Sequence, residues 1–401
     1  MKLEGGRISA FQLLVLLGGF IVTSAPLVGF ITPLAGQNAW LAVLTGAAAM
    51  LPAVVVYVRL ATLFGGRNLV EINELVYGRA IGAAVSLVYL FSFTLTLIFT
   101  VFDVGIYYSL FIIPDTPIYF FQVVFTAVCA LAAAGGIEVI ARTGLVCTAM
   151  SLTAVVIAFL LSLPNMNLGN FLPLLAVPVQ DFIHSSHIIA VISLGETVVF
   201  LMIAAAVSDR HNIPKNMLGG QLLGAVGVLS GAILVTAVLG PAQDILANPV
   251  FEAARMIDVA KVLTRMEVLF IAGELLLQFV KGSILFYGIV LALAQVLRLR
   301  TYLPLVFPFA LIVMNLAACV YRSFAEYYAT SVSTAVIYYI LPTLILPALT
   351  LLVAVLRGLN RAAVPPDGEE NLRQSAEELQ TLIGAARSVE ERLATERDRL
   401  R

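Results

Sequence analysis

The stretch Thr23-Ser24-Ala25-Pro26-Leu27-Val28-Gly29 lies in the middle of the first apolar segment of the chain. Proline removes a backbone donor and clashes with the preceding helical turn, and the glycine that follows weakens a helix further. The apolar segment around it, at about 9–34, is long enough to cross a membrane, which takes about 20 residues. The stretch therefore predicts a transmembrane helix that is broken near mid-membrane.

The composition is that of a membrane protein. Of 401 residues, 61% are hydrophobic and only 12% are charged, whereas soluble domains carry about 25% charged residues. Fifteen of the charged residues lie between Pro366 and Arg401, which leaves 32 for the first 365 residues. So few charges cannot cover a water-facing surface, so we expect lipid around most of the chain. With a net charge of −1 and no basic block, nucleic acid is not an expected partner.

Ten apolar segments are long enough to cross the bilayer, and we number them span 1 to span 10. They are placed at about 9–34, 38–63, 80–112, 117–133, 137–161, 187–208, 217–240, 264–297, 303–320 and 331–356. The predicted loops carry twelve Lys and Arg on the side of the N-terminus and four on the other side. The positive-inside rule therefore places both termini in the cytoplasm. We predict a ten-helix transmembrane domain over 1–357 and a charged cytosolic helical tail over 358–401.

Span 6 carries a second break signal, Ser193-Leu194-Gly195-Glu196-Thr197. Pro26 and Gly195 are 169 residues apart, and Asp103 of span 3 and Glu274 of span 8 are 171 apart. The two nearly equal offsets indicate two copies of one five-span unit, and because five is odd the copies must be inserted in opposite senses. The predicted fold class is all-α integral membrane, with ten transmembrane helices in a five-plus-five inverted repeat and with helices 1 and 6 broken.

The two longest spans carry polar side chains on one face. In span 3 these are Tyr89, Ser92, Thr96, Thr100, Asp103 and Tyr107, at spacings of three or four. In span 8 they are Glu267, Glu274, Gln278 and Lys281, at spacings of seven, four and three. These spacings place each set on one helix face. Because a charged group at the bilayer centre costs at least about 2.5–3.5 kcal/mol, we expect both faces to line the bundle interior or a cavity.

Several short motifs resemble one family of membrane proteins. They are Ile8-Ser9-Ala10-Phe11-Gln12-Leu13, Thr32-Pro33-Leu34-Ala35-Gly36-Gln37-Asn38-Ala39-Trp40-Leu41, Phe171-Leu172-Pro173-Leu174-Leu175 and Gly195-Glu196. Over about residues 7–357 the chain resembles the spore germination permeases, the GerAB-like B subunits of germinant receptors. These belong to the amino acid–polyamine–organocation superfamily, which has the leucine-transporter fold. The resemblance implies a spore inner-membrane subunit that senses a small nutrient, usually an amino acid, beside an A subunit and a lipoprotein C subunit.

The ligand is expected between the two breaks, against spans 3, 8 and 10. The predicted ligand-binding residues are Thr23, Ser24, Ala25, Pro26, Gly29, Thr96, Thr100, Asp103, Ser193, Gly195, Glu196, Thr197 and Tyr338. A second predicted set, for ion coupling or structural charge, is Glu274, Gln278 and Lys281. Lys281 is expected to reach Glu274 through Gln278, and the resemblance implies that it stands where a cation binds in other proteins of this fold.

Most of these assignments have a structural alternative. A plain proline kink explains the break in span 1, and helix packing explains Gly195. Glu196 binds an ammonium group, titrates, or caps the break. Asp103 lines a vestibule or hydrogen-bonds a neighbouring helix, and Lys281 replaces a cation, snorkels to the interface, or forms a structural ion pair. Tyr338 walls the pocket or only packs between helices.

Three functions are open at this point: a nutrient-sensing receptor subunit, a proton-coupled amino acid permease, and a channel-like component that passes water or ions. Three Cys and three His show no metal-ligand spacing, so no metal and no cofactor are expected. We also expect no enzyme activity, because the sequence shows no nucleophile–base pair.

Overall fold

The computed structural model describes residues 5–246, 248–256 and 266–359. Within these residues, eight helical stretches are long and apolar enough to cross a membrane. One of them, Ala10–Leu63, has 54 residues and is divided at Gly36, where a positive φ of 53° ends one helix before the next begins. The apolar helix Ile118–Ala134 is shorter, at 17 residues. Together these segments supply the ten predicted spans, while the predicted tail lies outside the described residues from Asn360 onward.

The helices of the described residues follow one another in the predicted order. In the first half, span 1 comprises Ala10–Val22, Ala25–Leu27 and Val28–Ala35, span 2 is Ala39–Leu63, span 3 is Arg79–Phe111, span 4 is Ile118–Ala134 and span 5 is Gly136–Ser162. In the second half, span 6 comprises Val179–Ile188, Ile189–Leu194, Gly195–Val199 and Phe200–Ile203, span 7 is Ile213–Leu239, span 8 is Met266–Val296, span 9 is Leu303–Val320, and span 10 comprises Thr334–Ile340, Leu341–Ile345 and Leu346–Leu356. Three short helices lie between spans: Leu69–Tyr77, Pro249–Arg255 and Phe324–Val332.

Both predicted breaks interrupt the α-helical geometry. In span 1, the 3-10 turn Ala25–Leu27 joins Ala10–Val22 to Val28–Ala35. In span 6, the π-helical segment Ile189–Leu194 is followed by the 3-10 segment Gly195–Val199. A switch between α, 3-10 and π geometry changes the number of residues per turn, so side chains after the switch point in new directions. The breaks are therefore changes of helical hydrogen bonding, and the chain stays coiled through both of them.

Two boundaries differ from the prediction. Span 6 begins at Val179 rather than at about 187, and a separate helix, Phe324–Val332, precedes span 10. Both segments contain polar residues, so an apolar pattern does not find them. His184 in the first of these segments lies with Nε2 at 2.6 Å from the carbonyl oxygen of Val332 in the second. Because this hydrogen bond is made within the protein, the polar side chain of His184 is satisfied without water in the membrane.

Burial separates central spans from peripheral ones. The most apolar window of span 6 is 89% buried and that of span 8 is 83% buried, against 28% in span 5 and 22% in span 9. Peripheral spans expose large apolar side chains such as Leu131 and Phe307, as expected of surfaces that face lipid tails. The central spans are thus shielded from lipid by their neighbours, which allows them to carry polar groups.

Span 7 contacts span 1 through two glycines that differ in how closely they approach it. A Cβ atom on Gly224 would lie 2.4 Å from the Cβ of Ile21, whereas one on Gly231 would come no nearer than 3.7 Å to the Cβ of Ala25. We therefore expect Gly224→Ala to destabilise the protein by about 1–3 kcal/mol through overpacking. Gly231→Ala, the matched control, meets no crowding and should be neutral or stabilise the protein by up to about 1 kcal/mol, because alanine favours a helix interior over glycine. Thermal unfolding of the purified variants in detergent tests this, and equal melting temperatures would contradict it.

Candidate ligand-binding site

A polar cavity of about 80 Å³ lies between the two breaks at the centre of the bundle. One water molecule needs about 10–15 Å³ on this measure, so the cavity has room for several waters or one small organic molecule. Spans 1, 3, 6, 8 and 10 and the helix Phe324–Val332 supply its walls. The lining residues are Thr23, Ser24, Pro26, Leu27, Phe30, Thr96, Phe99, Thr100, Asp103, Ile192, Glu196, Gln278, Lys281, Tyr327, Ser331, Ala335 and Tyr339.

An ion pair joins spans 6 and 8 at the cavity wall. Lys281 Nζ lies 2.7 Å from Glu196 Oε2, and both side chains are buried. The ammonium group also lies 5.2 Å from the centre of the Phe20 ring. The ion-pair partner of Lys281 is thus Glu196 and not Glu274, which is about 10.5 Å away along the same helix. Removing either charge would leave the other unpaired in a medium of low dielectric constant, so the pair holds the two spans together.

A second polar group joins spans 3 and 8. Gln278 Nε2 donates to Asp103 Oδ2 and to Glu274 Oε1, each at 3.1 Å. Asp103 Oδ1 accepts a long hydrogen bond from the Tyr327 hydroxyl, at 3.5 Å. Asp103 therefore lines the cavity between the two breaks and also hydrogen-bonds a neighbouring helix. Within the described ranges, no three His, Cys, Asp or Glu side chains are grouped as metal ligands would be.

Aromatic side chains form another part of the cavity wall. The Tyr327 ring lies 5.5 Å from that of Phe30, 6.5 Å from that of Phe99 and 5.2 Å from that of Phe102, measured between ring centres. These contacts tie the helix Phe324–Val332 to spans 1 and 3. Ring pairs in such arrangements contribute about 0.5–1.5 kcal/mol beyond the burial of their area. The helix that precedes span 10 is therefore packed firmly into the site.

At another part of the cavity wall, a hydrogen bond joins spans 3 and 10. The hydroxyl groups of Thr96 and Tyr339 lie 2.7 Å apart. Thr100 Oγ1 donates to the carbonyl oxygen of Thr96 at 2.8 Å. The middle of the polar face of span 3 thus points into the cavity, as expected of that face. The side chain of Glu267, at the start of the corresponding face in span 8, lies outside the described part of the structure.

The structure brings together about half of the predicted site residues. Those that line the cavity are Thr23, Ser24, Pro26, Thr96, Thr100, Asp103, Glu196, Gln278 and Lys281. The predicted residues that do not line it are Ala25, Gly29, Ser193, Gly195, Thr197, Tyr338 and Glu274. Neighbouring positions of a helix point in directions about 100° apart, so only some residues of each break can face one cavity.

The residues of the span 6 break that miss the cavity contact other parts of the protein. Thr197 Oγ1 donates to the carbonyl oxygen of Leu194 at 2.6 Å. The Tyr57 hydroxyl lies within hydrogen-bonding distance of two carbonyl oxygens, that of Gly195 at 3.3 Å and that of Thr343. Gly195 therefore lies where spans 2, 6 and 10 meet. Its role in the fold is close packing, and Glu196 beside it faces the cavity.

Span 10 contributes Tyr339 to the cavity instead of the predicted Tyr338. The rings of the two residues are in contact, with centres 5.1 Å apart, and Tyr338 packs on the outside of its neighbour. The cavity also contains Tyr327 and Ser331, which were not among the predicted site residues. One sequence signal for their helix exists, because Ser323 and Glu326 have the spacing of an N-cap. Ser323 Oγ accepts a hydrogen bond from the Glu326 N–H at 3.2 Å.

Solved structures with this fold include the following two. One is MhsT in complex with L-phenylalanine, with a TM-score of 0.63 and 14% identity over 88% of this chain and 99% of that chain. The other is Mhp1, a nucleobase-cation-symport-1 family transporter in a closed conformation with bromovinylhydantoin bound. It has a TM-score of 0.59 and 17% identity over 82% of this chain and 76% of that chain. The chain therefore has the fold of these transporters. This agrees with the predicted inverted repeat in which helices 1 and 6 are broken.

Sequence comparison identifies the family. Residues 7–327 match the sequence profile of the family described as Spore germination protein. A curated relative is Spore germination protein KB of Bacillus subtilis (strain 168), which is 27% identical over 361 residues, covering 88% of this chain and 96% of the relative. The match to the family extends from just before span 1 into the helix that precedes span 10. The chain is an integral, multi-pass membrane protein and belongs to the spore germination protein family of permeases.

Proposed function

We propose that this chain is the membrane subunit of a spore germinant receptor, and that a small nutrient, with amino acids as the first class to test, binds in the cavity between the two breaks and triggers germination. The chain would lie in the spore inner membrane with both termini in the cytoplasm, as the Lys and Arg bias of the loops favours. Its partners would be membrane lipid and the A and C subunits of the receptor. The tail over 358–401 would be a separate cytosolic segment.

One observation carries this proposal: a small cavity between the broken spans places charged groups among aromatic side chains. Small-molecule sites are concave, with a few placed polar groups among apolar walls. Here Asp103, Glu196 and Lys281 are the charged groups, and four aromatic rings provide apolar wall. A family whose members act in germination, together with a transporter-like fold, favours a nutrient as the ligand of such a cavity.

The contacts of the N-terminal segment suggest how binding could be signalled. The Ile8 N–H donates to the carbonyl oxygen of Ala206, and the Ser208 N–H donates to that of Ile8, each at 3.0 Å. The Arg7 N–H donates to Glu138 Oε1 at 2.9 Å. The segment thus joins the residues that follow span 6, Ala206 and Ser208, to Glu138 at the start of span 5. A ligand that favours one arrangement of the span 6 break would shift this attachment, where a partner subunit could respond.

Spores that lack the chain provide the direct test. We expect them to lose the germination response to one class of nutrient while they respond normally to nutrients sensed by other receptors. A plasmid copy of the wild-type gene should restore the response. The purified protein should also be stabilised by that same nutrient, because a ligand that binds only the folded state raises its melting temperature. Normal germination of the deletion spores on every nutrient would refute the receptor function.

A proton-coupled permease is the second candidate, and the shared transporter fold favours it. Uptake of the labelled nutrient into proteoliposomes that contain this chain alone separates the two. Strong flux driven by a proton gradient would establish a permease, whereas binding without flux is expected of a sensing subunit. Ion or water flux without any nutrient would instead indicate the channel-like component.

A further inference from the structure

The charges at the cavity are unequally paired. Lys281 forms an ion pair with Glu196, with Nζ 2.7 Å from Oε2. Asp103 makes no ion pair with any described residue, because its oxygen atoms accept hydrogen bonds only from the neutral groups of Gln278 and Tyr327. A buried carboxylate without a counter-charge is strongly unfavourable in a membrane protein. The Asp103 carboxylate therefore has no ion-pair partner of its own among the described residues.

The groups around Asp103 suit a positive charge. Phe30, Phe99 and Tyr327 line the same cavity, and the faces of aromatic rings attract ammonium groups. Two hydroxyl groups in the wall are also available to a ligand. Ser24 and Ser331 are only 7% and 5% exposed and line the cavity, and their side chains hydrogen-bond no described residue.

A carboxylate would find little to bind in this cavity. The one lysine in its wall already neutralises Glu196. At the span 1 break, the N–H of Ser24 donates to Ile21 and that of Leu27 donates to Ser24, at 2.8 and 3.0 Å. The N–H of Val28 is also bonded within the break, and Pro26 has none. Ser24, Leu27 and Val28 thus use their backbone N–H groups within the break, although a free helix end could have bound an anion.

We propose that the cavity selects an organic cation: a small ligand whose ammonium group pairs with the Asp103 carboxylate between aromatic rings, and which needs no carboxylate of its own. The inference rests on the proposed function, because it names the ligand class of the same cavity. A zwitterion would bring a carboxylate near Glu196 and Asp103, whereas a cation supplies only the missing positive charge. The volume of about 80 Å³ restricts that ligand to a small molecule.

Matched ligands on the purified full-length protein test the charge class. Each set of probes contains an amine, the amino acid that carries one carboxylate more, and the acid that the amino acid becomes without its amino group. The sets are ethylamine, alanine and propionate; ethanolamine, serine and 3-hydroxypropionate; and isoamylamine, leucine and 4-methylvalerate. Binding is measured by thermal shift and by calorimetry. We expect at least one amine to bind about 10-fold or more tightly than its amino acid, with no binding of the acids. A panel in which no amine binds, or in which every amino acid binds more tightly than its amine, overturns the proposal.

Variants locate the binding group. Asp103→Asn keeps the shape but removes the charge, and should weaken binding of the amine about 10- to 100-fold, since a hydrogen bond to a charged group contributes about 1.5–3 kcal/mol. Asp103→Glu keeps the charge and should retain the preference for amines even if Asp103→Asn does not fold. Asp115→Asn is the matched control, because Asp115 is exposed in the loop after span 3. Unchanged amine affinity in a folded Asp103→Asn variant would overturn the assignment.

The outcomes separate this inference from the proposed function. If deletion spores fail to respond to a nutrient and that nutrient stabilises the protein but carries no positive charge, the receptor function stands and the cation preference fails. If amines bind at Asp103 but deletion spores germinate normally on every nutrient, the cation site stands and the receptor function fails.

Discussion

Replacing Lys281 with Met is expected to be among the most damaging single changes in the protein. The substitution leaves the Glu196 carboxylate, now 2.7 Å from the Lys281 ammonium group, without a counter-charge inside the bundle. Removing one partner of a buried ion pair costs about 3–5 kcal/mol. Because Glu196 lies in the span 6 break and faces the cavity, its unpaired charge should also disturb the geometry of the cavity wall. The melting temperature of the purified variant measures the first effect.

The double variant Lys281→Met with Glu196→Gln is the control for this prediction. It removes both charges, and a buried ion pair replaced by neutral groups of similar volume is often as stable as the original. We therefore expect the double variant to recover most of the stability that Lys281→Met loses. A single variant as stable as the wild type would show that Glu196 is not held as a buried charge. A double variant as unstable as the single one would show that Lys281 acts through packing on Phe20.

Gly195→Val is the second change with a large expected effect. A Cβ atom at Gly195 would lie 3.0 Å from the Cβ and Cγ2 atoms of Thr343, and 3.2 Å from the carbonyl oxygen of Ala190. Larger side chains would push span 6 away from span 10, at about 1–3 kcal/mol for overpacking. The shift would also displace Glu196, the next residue. We expect a lower melting temperature and loss of the ligand-induced stabilisation.

A second substitution can relieve the crowding at Gly195. Thr343→Ala removes the Cγ2 atom, one of the two Thr343 atoms that a side chain at Gly195 would crowd most closely, so it should partly restore both the stability and the ligand response of Gly195→Val. Gly195→Ala should be affected less than Gly195→Val, because it adds only one carbon atom. A full ligand response in Gly195→Val would mean that close packing of the span 6 break against span 10 is not needed for binding.

The candidate site could be predicted in part from helical spacing. Thr96, Thr100 and Asp103 repeat at four and three residues along span 3, and all three line the cavity. Spacing works here because a face that carries a charge cannot be turned to lipid. Tyr338 and Tyr339 show where such reasoning stops. Adjacent aromatic residues look alike in a sequence, and only the packing of span 10 determines which one reaches the cavity.

Contacts between spans could not be predicted from spacing at all. Within span 8, Glu274 is the acidic residue on the same face as Lys281, yet the ion pair forms with Glu196 of span 6. Coulomb attraction depends on distance in space, and two helix turns along one span separate charges more than a neighbouring span does. The helix Phe324–Val332 is a similar case. Its polar residues hide it from hydropathy, and its aromatic residues become part of the site only through contact with spans 1 and 3.

The sequence by itself determined that lipid surrounds most of this chain, how many spans it has and in what order, and where both breaks lie. Each of these follows from local physics: apolar length sets a membrane crossing, and Pro or Gly disturbs a helix wherever it lies. Only the tertiary structure decided that Lys281 forms its ion pair with Glu196 while Asp103 forms none with any described residue. That difference arises from how spans 3, 6 and 8 pack together, because the effect of a buried charge depends on which groups surround it in space.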